Sequence, residues 1–492
     1  MRPCEQPGAP PAGPATGGRA LAVRIGCWLL PFAALGAALV HFYPDSYQQD
    51  GGFHFLFARW ALAHPRFLLG VWARPLFTAL YALPAQLGYP AAKLATVAVA
   101  LATAWHTARL ARAHGLERAE LAVPLLFLEP SFLLVCSETM TEPLFALLLV
   151  VALRLHRAGR VAAGMWVASL LPLARPEGFF LCLLWGAFVA LDRHGGGTLF
   201  RRALSTARLL GGVALWWLAA LLMTHDPLFI VHNWPQGWSL DAGPATGSLA
   251  QYWRVRYLLL AGPAMLVLFG VGLVALWVRR RLGLAVASLG LLVALHSVFF
   301  RFGLFGSAGY ARYLVCVAPP MALATLAGWN ALAEALPGRL ARRVGVAVGA
   351  AVLLRAAWLC LGYVDSYGSS RDARAVADTA AWFRAHPRPV ARLVYSQAYM
   401  DVLLDVDLSE RPVLGRDRER NVEILRALPP GTLVFWDALT GPQFHDVRPA
   451  DLERAGYQRL YRKPYLLEPL LPFLHRPPLP EHRQEMYLYY KG

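Results

Sequence analysis

Ten residues carry charge or an imidazole where an apolar chain has little ordinary use for them. Asp45 and Asp50 stand in "HFYPDSYQQDGGFHF", directly after the first long apolar run. Arg74 precedes a proline in "WARPLF". Glu138 and Glu142 lie four apart in "SETMTEP", which puts both on one face of a helix. Arg175 and Glu177 flank Pro176 in "ARPEG", His225 and Asp226 open "HDPLFIVH", and Arg312 sits in "GYARYL". These residue types suit one kind of chemistry. A carboxylate takes the proton from a hydroxyl as that hydroxyl attacks. Arginines give forked donors to a phosphate and neutralise its charge as it leaves. Together they fit transfer of a group from a phosphate-bearing donor, by direct displacement with inversion. No Walker or Rossmann signature marks a nucleotide site.

Each residue also has a plainer reading. Asp50, ahead of Gly51 and Gly52, suits a helix N-cap, and Asp45 after Pro44 suits a turn. Glu138 and Glu142 fit a solvated helix end, Glu142 at a helix N-terminus. Arg175 and Glu177 fit an interface ion pair. His225, Asp226 and His232 do not form a metal-binding spacing. Glu129 is harder to dismiss, because it lies inside "VPLLFLEPSFLLV", where an ionised group is expensive without a partner or a function.

The elements that must position these residues are membrane helices. Of the 492 residues 57% are hydrophobic and 16% charged, whereas a soluble chain carries about a quarter charged. Apolar runs of about 20 residues recur, the length that crosses a bilayer. The sequence predicts about eleven spans, at 21–42, 88–108, 119–137, 139–155, 161–174, 177–192, 204–223, 256–278, 282–300, 311–332 and 343–363. The net charge of +17 does not call for nucleic acid, because arginines cluster in alternate short loops. Those loops are Arg109–Arg118, Arg154–Arg160, Arg193–Arg208, Arg279–Arg281 and Arg339–Arg343, which places the N-terminus in the cytoplasm. The polar motifs then all fall on the outer face. Only Lys93, Lys463 and Lys491 are lysines, a skew that fits a GC-rich bacterial coding sequence and hence the inner membrane.

Residues 1–20 read as a disordered tail rather than a cleaved signal, and 21–363 as the membrane domain, with an acidic first outer loop at 43–87. Within that loop "FHFLFARWALAHPRFLLG" reads as a helix lying in the interface. An odd span count leaves 364–492 outside as a small soluble α/β domain. There "RDARAVADTAAWFRAHP" reads as an amphipathic helix, "ARLVYS" and "GTLVFWD" as strands, and "DLERAGY" as a short helix. The six cysteines form no CxxC and read as packing residues.

The ordered set "PDSYQQDGGFHF", Arg74–Pro75, "SETMTEPLFALLL", "LARPEG", "HDPLF" and "GYARYL", followed by an outer domain, resembles the GT-C integral-membrane glycosyltransferases. These include mannosyltransferases that use dolichyl-phosphate mannose, and bacterial lipid A aminoarabinose transferases. The resemblance covers roughly residues 21–330 and implies an all-α polytopic fold with a C-terminal α/β domain. It implies a hexosyltransferase of mannosyltransferase type, using a polyprenyl-phosphate sugar as donor and a lipid, glycan or protein hydroxyl as acceptor. Asp50 would be the catalytic carboxylate, with Asp45 in reserve. Arg175, Arg312 and Arg74 would hold the donor phosphate. Glu138, Glu142, Glu177, His225 and Asp226 would shape the cavity or bind acceptor. A divalent cation stays open, although two acids in the first loop are too few to argue for one. The competing readings are a transporter or flippase of an anionic lipid-linked substrate, and an O-antigen polymerase or ligase. A transporter predicts inverted repeats and broken helices near the midplane; no repeat is visible.

Overall fold

The computed structural model describes residues 16–45, 49–192, 198–235, 247–250, 252, 257–279, 283–335, 338–368, 371–395, 398–410, 414–415, 417–438, 440–466 and 483–492. Arg193, Arg280 and Arg281 of the arginine loops, and part of the loop after His232, lie outside them. The chain is mainly helical. α1 (Thr16–Phe42) is followed by the short α2 (Gln49–Trp60) and α3 (Pro75–Gln86), then by the long α4 (Tyr89–Ala113). α1 begins at Thr16, so the expected tail ends earlier than residue 20; residues 1–15 lie outside the description. Gly17 and Gly18 weaken the first turn of α1, but no proline interrupts the helix between Pro14 and Pro31.

The expected third span is not one helix. It divides into α5 (Ala122–Phe127) and α6 (Pro130–Val135), with Glu129 extended at the break. Pro130 is the cause: it disfavours helical backbone at the residue before it and has no N–H to continue the ladder. α7 (Glu142–Arg157) then packs against α4 and α8 (Val161–Ala168). α9 (Leu171–Ala174) ends at Arg175, and α10 (Glu177–Leu191) starts two residues later. α11 (Leu199–Ser205), α12 (Gly211–Thr224), α13 (Phe229–His232), α14 (Tyr257–Val278), α15 (Leu284–Phe302), α16 (Ala318–Ala335) and α17 (Arg339–Gly368) complete the helical body. Among the described residues six helical stretches are long and apolar enough to cross a membrane: Gly18–Phe42, Tyr89–Ala113, Leu199–Thr224, Leu284–Phe302, Ala311–Ala335 and Gly345–Gly362. The chain is an integral membrane protein.

Small residues set the closest helix contacts. A Cβ on Gly272 of α14 would fall 1.7 Å from the Ala324 carbonyl oxygen of α16, and one on Gly328 would fall 1.9 Å from that of Leu268. The two backbones therefore touch, as membrane helices do where dispersion, not water, drives association. Larger side chains fill the space elsewhere, as where Phe32 of α1 stacks on Phe127 at 4.5 Å and Phe132 meets Phe127 edge-on.

The C-terminal part carries a four-stranded sheet of β1 (Arg392–Tyr395), β2 (Thr432–Asp437), β3 (Tyr457–Leu466) and β4 (Arg483–Lys491), in the order β1-β2-β4-β3. β1 and β2 are parallel, with Leu393 beside Leu433, and the other pairs are antiparallel. β2, "TLVFWD", is buried throughout, which a central strand covered on both faces requires. α18 (Arg371–Ala385), α19 (Ala398–Leu404), α20 (Arg418–Ala427), α21 (Thr440–His445) and α22 (Pro449–Arg454) surround it. The sheet core does not stand apart. Leu393, Phe435 and Leu488 belong to one apolar cluster with Tyr399 and Met400 of α19, Phe55 and Leu56 of α2, and Phe77 and Tyr81 of α3.

Candidate active site

Arg175 and Arg312 are the centre of the site, and each is placed by a helix break. Arg175 is the extended residue between α9 and α10, next to Pro176. Arg312 lies in the 3-10 turn Ala311–Val317 that leads into α16. The Arg175 guanidinium donates from Nη2 to Glu177 Oε1 at 2.9 Å and from Nε to Glu177 Oε2 at 3.3 Å. Its Nη1 lies 2.8 Å from Glu142 Oε1 and donates to Thr141 Oγ1 at 3.1 Å. Arg312 reaches the same Glu142 oxygen through Nη1 at 3.4 Å, and through Nη2 reaches Asp50 Oδ2 at 2.5 Å. Tyr313 lies under both guanidiniums, at 5.4 and 5.5 Å from its ring centre. His296 of α15 stacks on that ring, with Nε2 3.5 Å from Glu177.

A single chain of alternating charge thus runs Asp50, Arg312, Glu142, Arg175, Glu177. Burial is uneven along it. The side chains of Glu142, Arg312, Arg175 and Glu177 keep 0, 5, 7 and 9% of their accessible surface, whereas Asp50 keeps 40%. The network is sealed inside the helices and open at Asp50, where protein still crowds the carboxylate on several sides. Burial pulls the Asp50 carboxyl upward, but the facing Arg312 guanidinium outweighs it and holds it below the usual carboxylate range. Asp50 is therefore ionised at neutral pH.

The "SETMTEP" turn ties the first loop down at three points. Lys93 of α4, 1% exposed, lies 2.9 Å from Glu138 Oε1 and donates to the carbonyls of Tyr43 and Asp45, both at 2.8 Å. Thr139 Oγ1 donates to the Gly51 carbonyl at 2.7 Å. Glu142 acts through Arg312 on Asp50. Asp45 is thus gripped by its backbone, whereas Asp50 presents its carboxylate. Arg74 is buried at the start of α3 with a left-handed φ of 67° and donates to the Val71 carbonyl at 2.9 Å. Burial, with the nearby Arg175, lowers it to about 10, so it stays charged. Strain of this kind at a non-glycine residue costs on the order of 1 kcal/mol and clusters at functional sites.

His225 and Asp226 are placed differently. His225 closes α12 in a left-handed conformation. Asp226 Oδ1 accepts from the Leu228 N–H, and its Oδ2 lies 2.9 Å from His232 Nδ1. Among the described residues no hydrogen bond or ion pair joins either to the arginine network. Sequence reasoning passed over Lys93, Thr139, His296, Tyr313 and His54. Lys93 carried a signal, being the only lysine in the first 462 residues and standing in an apolar helix. His54 lies one turn after Asp50, stacked on Trp72 at 4.9 Å, with no hydrogen bond on its buried Nδ1 among the described residues. Burial and the neighbouring Arg74 push its imidazole down to about 3.

That burial makes an acid-sensitive fold. Below the ordinary histidine value near 6.5 the unfolded chain binds a proton that folded His54 refuses until about 3. Stability therefore falls as pH drops through that window, by at most about 1.4 kcal/mol per unit. The depressed Asp50 adds the same sign at lower pH. Thermal unfolding in detergent between about pH 7 and about pH 5 should show a smaller loss for His54→Gln than for wild type. Parallel profiles would mean that the imidazole is already protonated or solvated.

The fit to a divalent cation is poor. Asp50, Glu142, Glu177 and Glu138 each face a basic side chain, and among the described residues no three His, Cys, Asp or Glu side chains converge as metal ligands would.

The sequence matches no protein-family model and no curated protein. Its structure is similar to two crystal structures of ArnT from Cupriavidus metallidurans. Against the apo state the TM-score is 0.58 at 14% identity, covering 85% of this chain and 94% of that one. Against ArnT bound to undecaprenyl phosphate it is 0.58 at 13% identity, covering 96% and 98%. In fold, over most of its length, the chain is similar to ArnT.

Proposed function

We propose that this protein is a membrane glycosyltransferase that takes its sugar from a polyprenyl-phosphate donor. The observation that carries this reading is the buried guanidinium–carboxylate chain whose only well-exposed member is Asp50. The fold adds support, because one of the similar ArnT structures is bound to undecaprenyl phosphate.

In this reading the prenyl tail stays among the helices while phosphate and sugar stand at the Asp50 end. Arg312, Arg175 and Arg74 supply the positive field for the phosphate. A phosphate that engages Arg312 draws it away from Asp50, and a carboxylate relieved of that pair becomes a better base. An acceptor hydroxyl then attacks the anomeric carbon from the face opposite the phosphate. The new C–O bond forms as the bond from carbon to phosphate oxygen breaks, the hydroxyl proton passes to Asp50, and polyprenyl phosphate leaves with the electron pair. The anomeric centre is inverted. Neutralising charge on the departing phosphate is where arginines contribute most. Glu138 and Glu177 act on the geometry, the first through Lys93 and the second by fixing Arg175. The outer-facing motifs and the arginine-rich loops support a cytoplasmic N-terminus, an extracytoplasmic C-terminal domain and a bacterial inner membrane. The motif order supports a hexose of the mannose type.

The test is a donor panel with purified protein in nanodiscs: polyprenyl-phosphate hexoses, polyprenyl-phosphate pentoses and nucleotide sugars, each with crude acceptor lipids. Release of polyprenyl phosphate from one lipid-linked donor, and none from nucleotide sugars, is the expected result. Binding of every polyprenyl-phosphate sugar without turnover would instead favour a carrier over a transferase.

A further inference from the structure

α2 does not keep its position unaided. It has twelve residues with two glycines in its first turn, too short and too glycine-rich to be stable alone. α3 packs along it from nearby in the sequence, and a second set of contacts comes from more than 300 residues further along the chain. At its first turn Gly52 packs on α19. A Cβ there would lie 3.1 Å from the Ala398 Cβ and 3.4 Å from both the Ala398 carbonyl carbon and Val402 Cγ2. A side chain there would push the two helices apart by a few tenths of an ångström. At the far end Arg59 holds Asp405 with both prongs, Nε to Oδ1 at 3.1 Å and Nη2 to Oδ2 at 2.9 Å. Trp60 Nε1 donates to the Val406 carbonyl at 2.9 Å. His64 Nε2 lies 2.7 Å from Asp407 Oδ2 and 3.1 Å from Ser409 Oγ. Three consecutive residues, 405 to 407, thus grip three positions along and just beyond α2. Arg59 is itself set by Gln86 of α3, through Nη1 to Oε1 at 3.2 Å, and Gln86 Nε2 donates back to the Arg59 carbonyl at 2.8 Å.

We propose that the segment from Ala398 to Ser409 is a clasp that positions α2 for the reaction, with Gly52, Arg59 and Asp405 as positioning residues. The C-terminal domain is then a working part of the active site, and this deepens the transferase reading on which it rests. The reasoning is geometric. Asp50 is pulled from one side by Arg312, which is mounted on the membrane helices, and α2 must resist that pull for the carboxylate to meet an acceptor hydroxyl. A displacement of about 1 Å in a reacting group costs on the order of 100-fold in rate. The donor phosphate, by contrast, is read by Arg175 and Arg312, which the clasp does not touch. Loosening it should therefore lower kcat and leave donor KM nearly unchanged.

The experiment uses the full chain in nanodiscs with two readouts: steady-state release of polyprenyl phosphate, and amide hydrogen exchange of peptides covering residues 49–60. Gly52→Ala and Asp405→Ala are each expected to lower kcat by on the order of 10- to 100-fold, with donor KM little changed and α2 exchange faster. Ala398→Gly, which removes the 3.1 Å neighbour, should restore much of the rate of Gly52→Ala. Unchanged exchange and rate in both single variants would overturn the clasp. So would faster exchange with an unchanged kcat, which would leave the contact merely structural. An inactive wild type would overturn the transferase reading itself, a result distinct from an active wild type with unaffected variants.

Discussion

Asp50→Asn should lower the rate of polyprenyl-phosphate release by on the order of 10²- to 10⁴-fold, the range a positioned general base contributes, while the protein still elutes as a folded species. The substitution keeps the shape of the side chain and its ability to accept from Arg312, and removes only the charge and the basicity. Structural cost is small because Asp50 is the open end of the network, with 40% of its side chain accessible, and Arg312 keeps Glu142 as a partner. Asp45→Asn makes the contrast. Lys93 grips the carbonyl of Asp45, a contact that the side-chain change leaves in place. Its effect should be much smaller than that of Asp50→Asn. Rates measured with a single active donor decide between the two aspartates, and a full rate in Asp50→Asn would remove that residue from the chemistry.

The second large effect is on stability. Arg175 and Arg312 converge on one oxygen of Glu142, whose side chain is 0% exposed. Glu142→Ala leaves two guanidiniums facing each other where water does not reach. Removing one partner from a buried ionic cluster costs about 3–5 kcal/mol, because the desolvation already incurred loses its compensation. Loss of folded yield, or a markedly lower unfolding midpoint in detergent, is the expected result. Glu334→Ala is the control: Glu334 pairs with Arg279 at an exposed position, 52% and 43% accessible. Exposed pairs of that kind contribute about 0–1 kcal/mol. Equal midpoints for the two variants would show that the arginine network is solvated.

Much of this was legible from local chemistry. Arg312 stood out because the sequence reading set it apart from the arginine-rich loops expected in the cytoplasm, and the structure supplies partners for it in Asp50 and Glu142. The break at Pro130 was missed when 119–137 was read as one span, since hydropathy averages over a window in which one proline changes little. The segments read as a helix over 371–387 and as strands over 391–396 and 431–437 hold a helix at Arg371–Ala385 and strands at Arg392–Tyr395 and Thr432–Asp437. Thr139 was harder, because its partner is a backbone carbonyl, which leaves no trace in residue type; two of the partners of Lys93 are carbonyls as well, beside the Glu138 carboxylate. His225 and Asp226 drew attention as polar neighbours, yet Asp226 bonds within its own turn, a local use that every Asp-Pro segment can make. The grip of residues 405–407 on α2 was beyond sequence reasoning altogether, because nothing in a lone arginine at 59 points to an aspartate 346 positions away.

That separation has a consequence for how the molecule is made. The glycine seam between α14 and α16 joins residue 272 to residue 328, and the Arg59 contact joins residue 59 to residue 405. A ribosome delivers these in order, so neither junction closes until the later residue has emerged. Asp50 leaves the exit tunnel early; Arg312 follows 262 residues later, and Asp405 and Val406, which bond Arg59 and Trp60, come after that. For the 262 residues between Asp50 and Arg312, the acid is without the cation that lowers its proton affinity. The base of the proposed reaction is translated early, and the contacts that hold it are among the last that the finished chain makes.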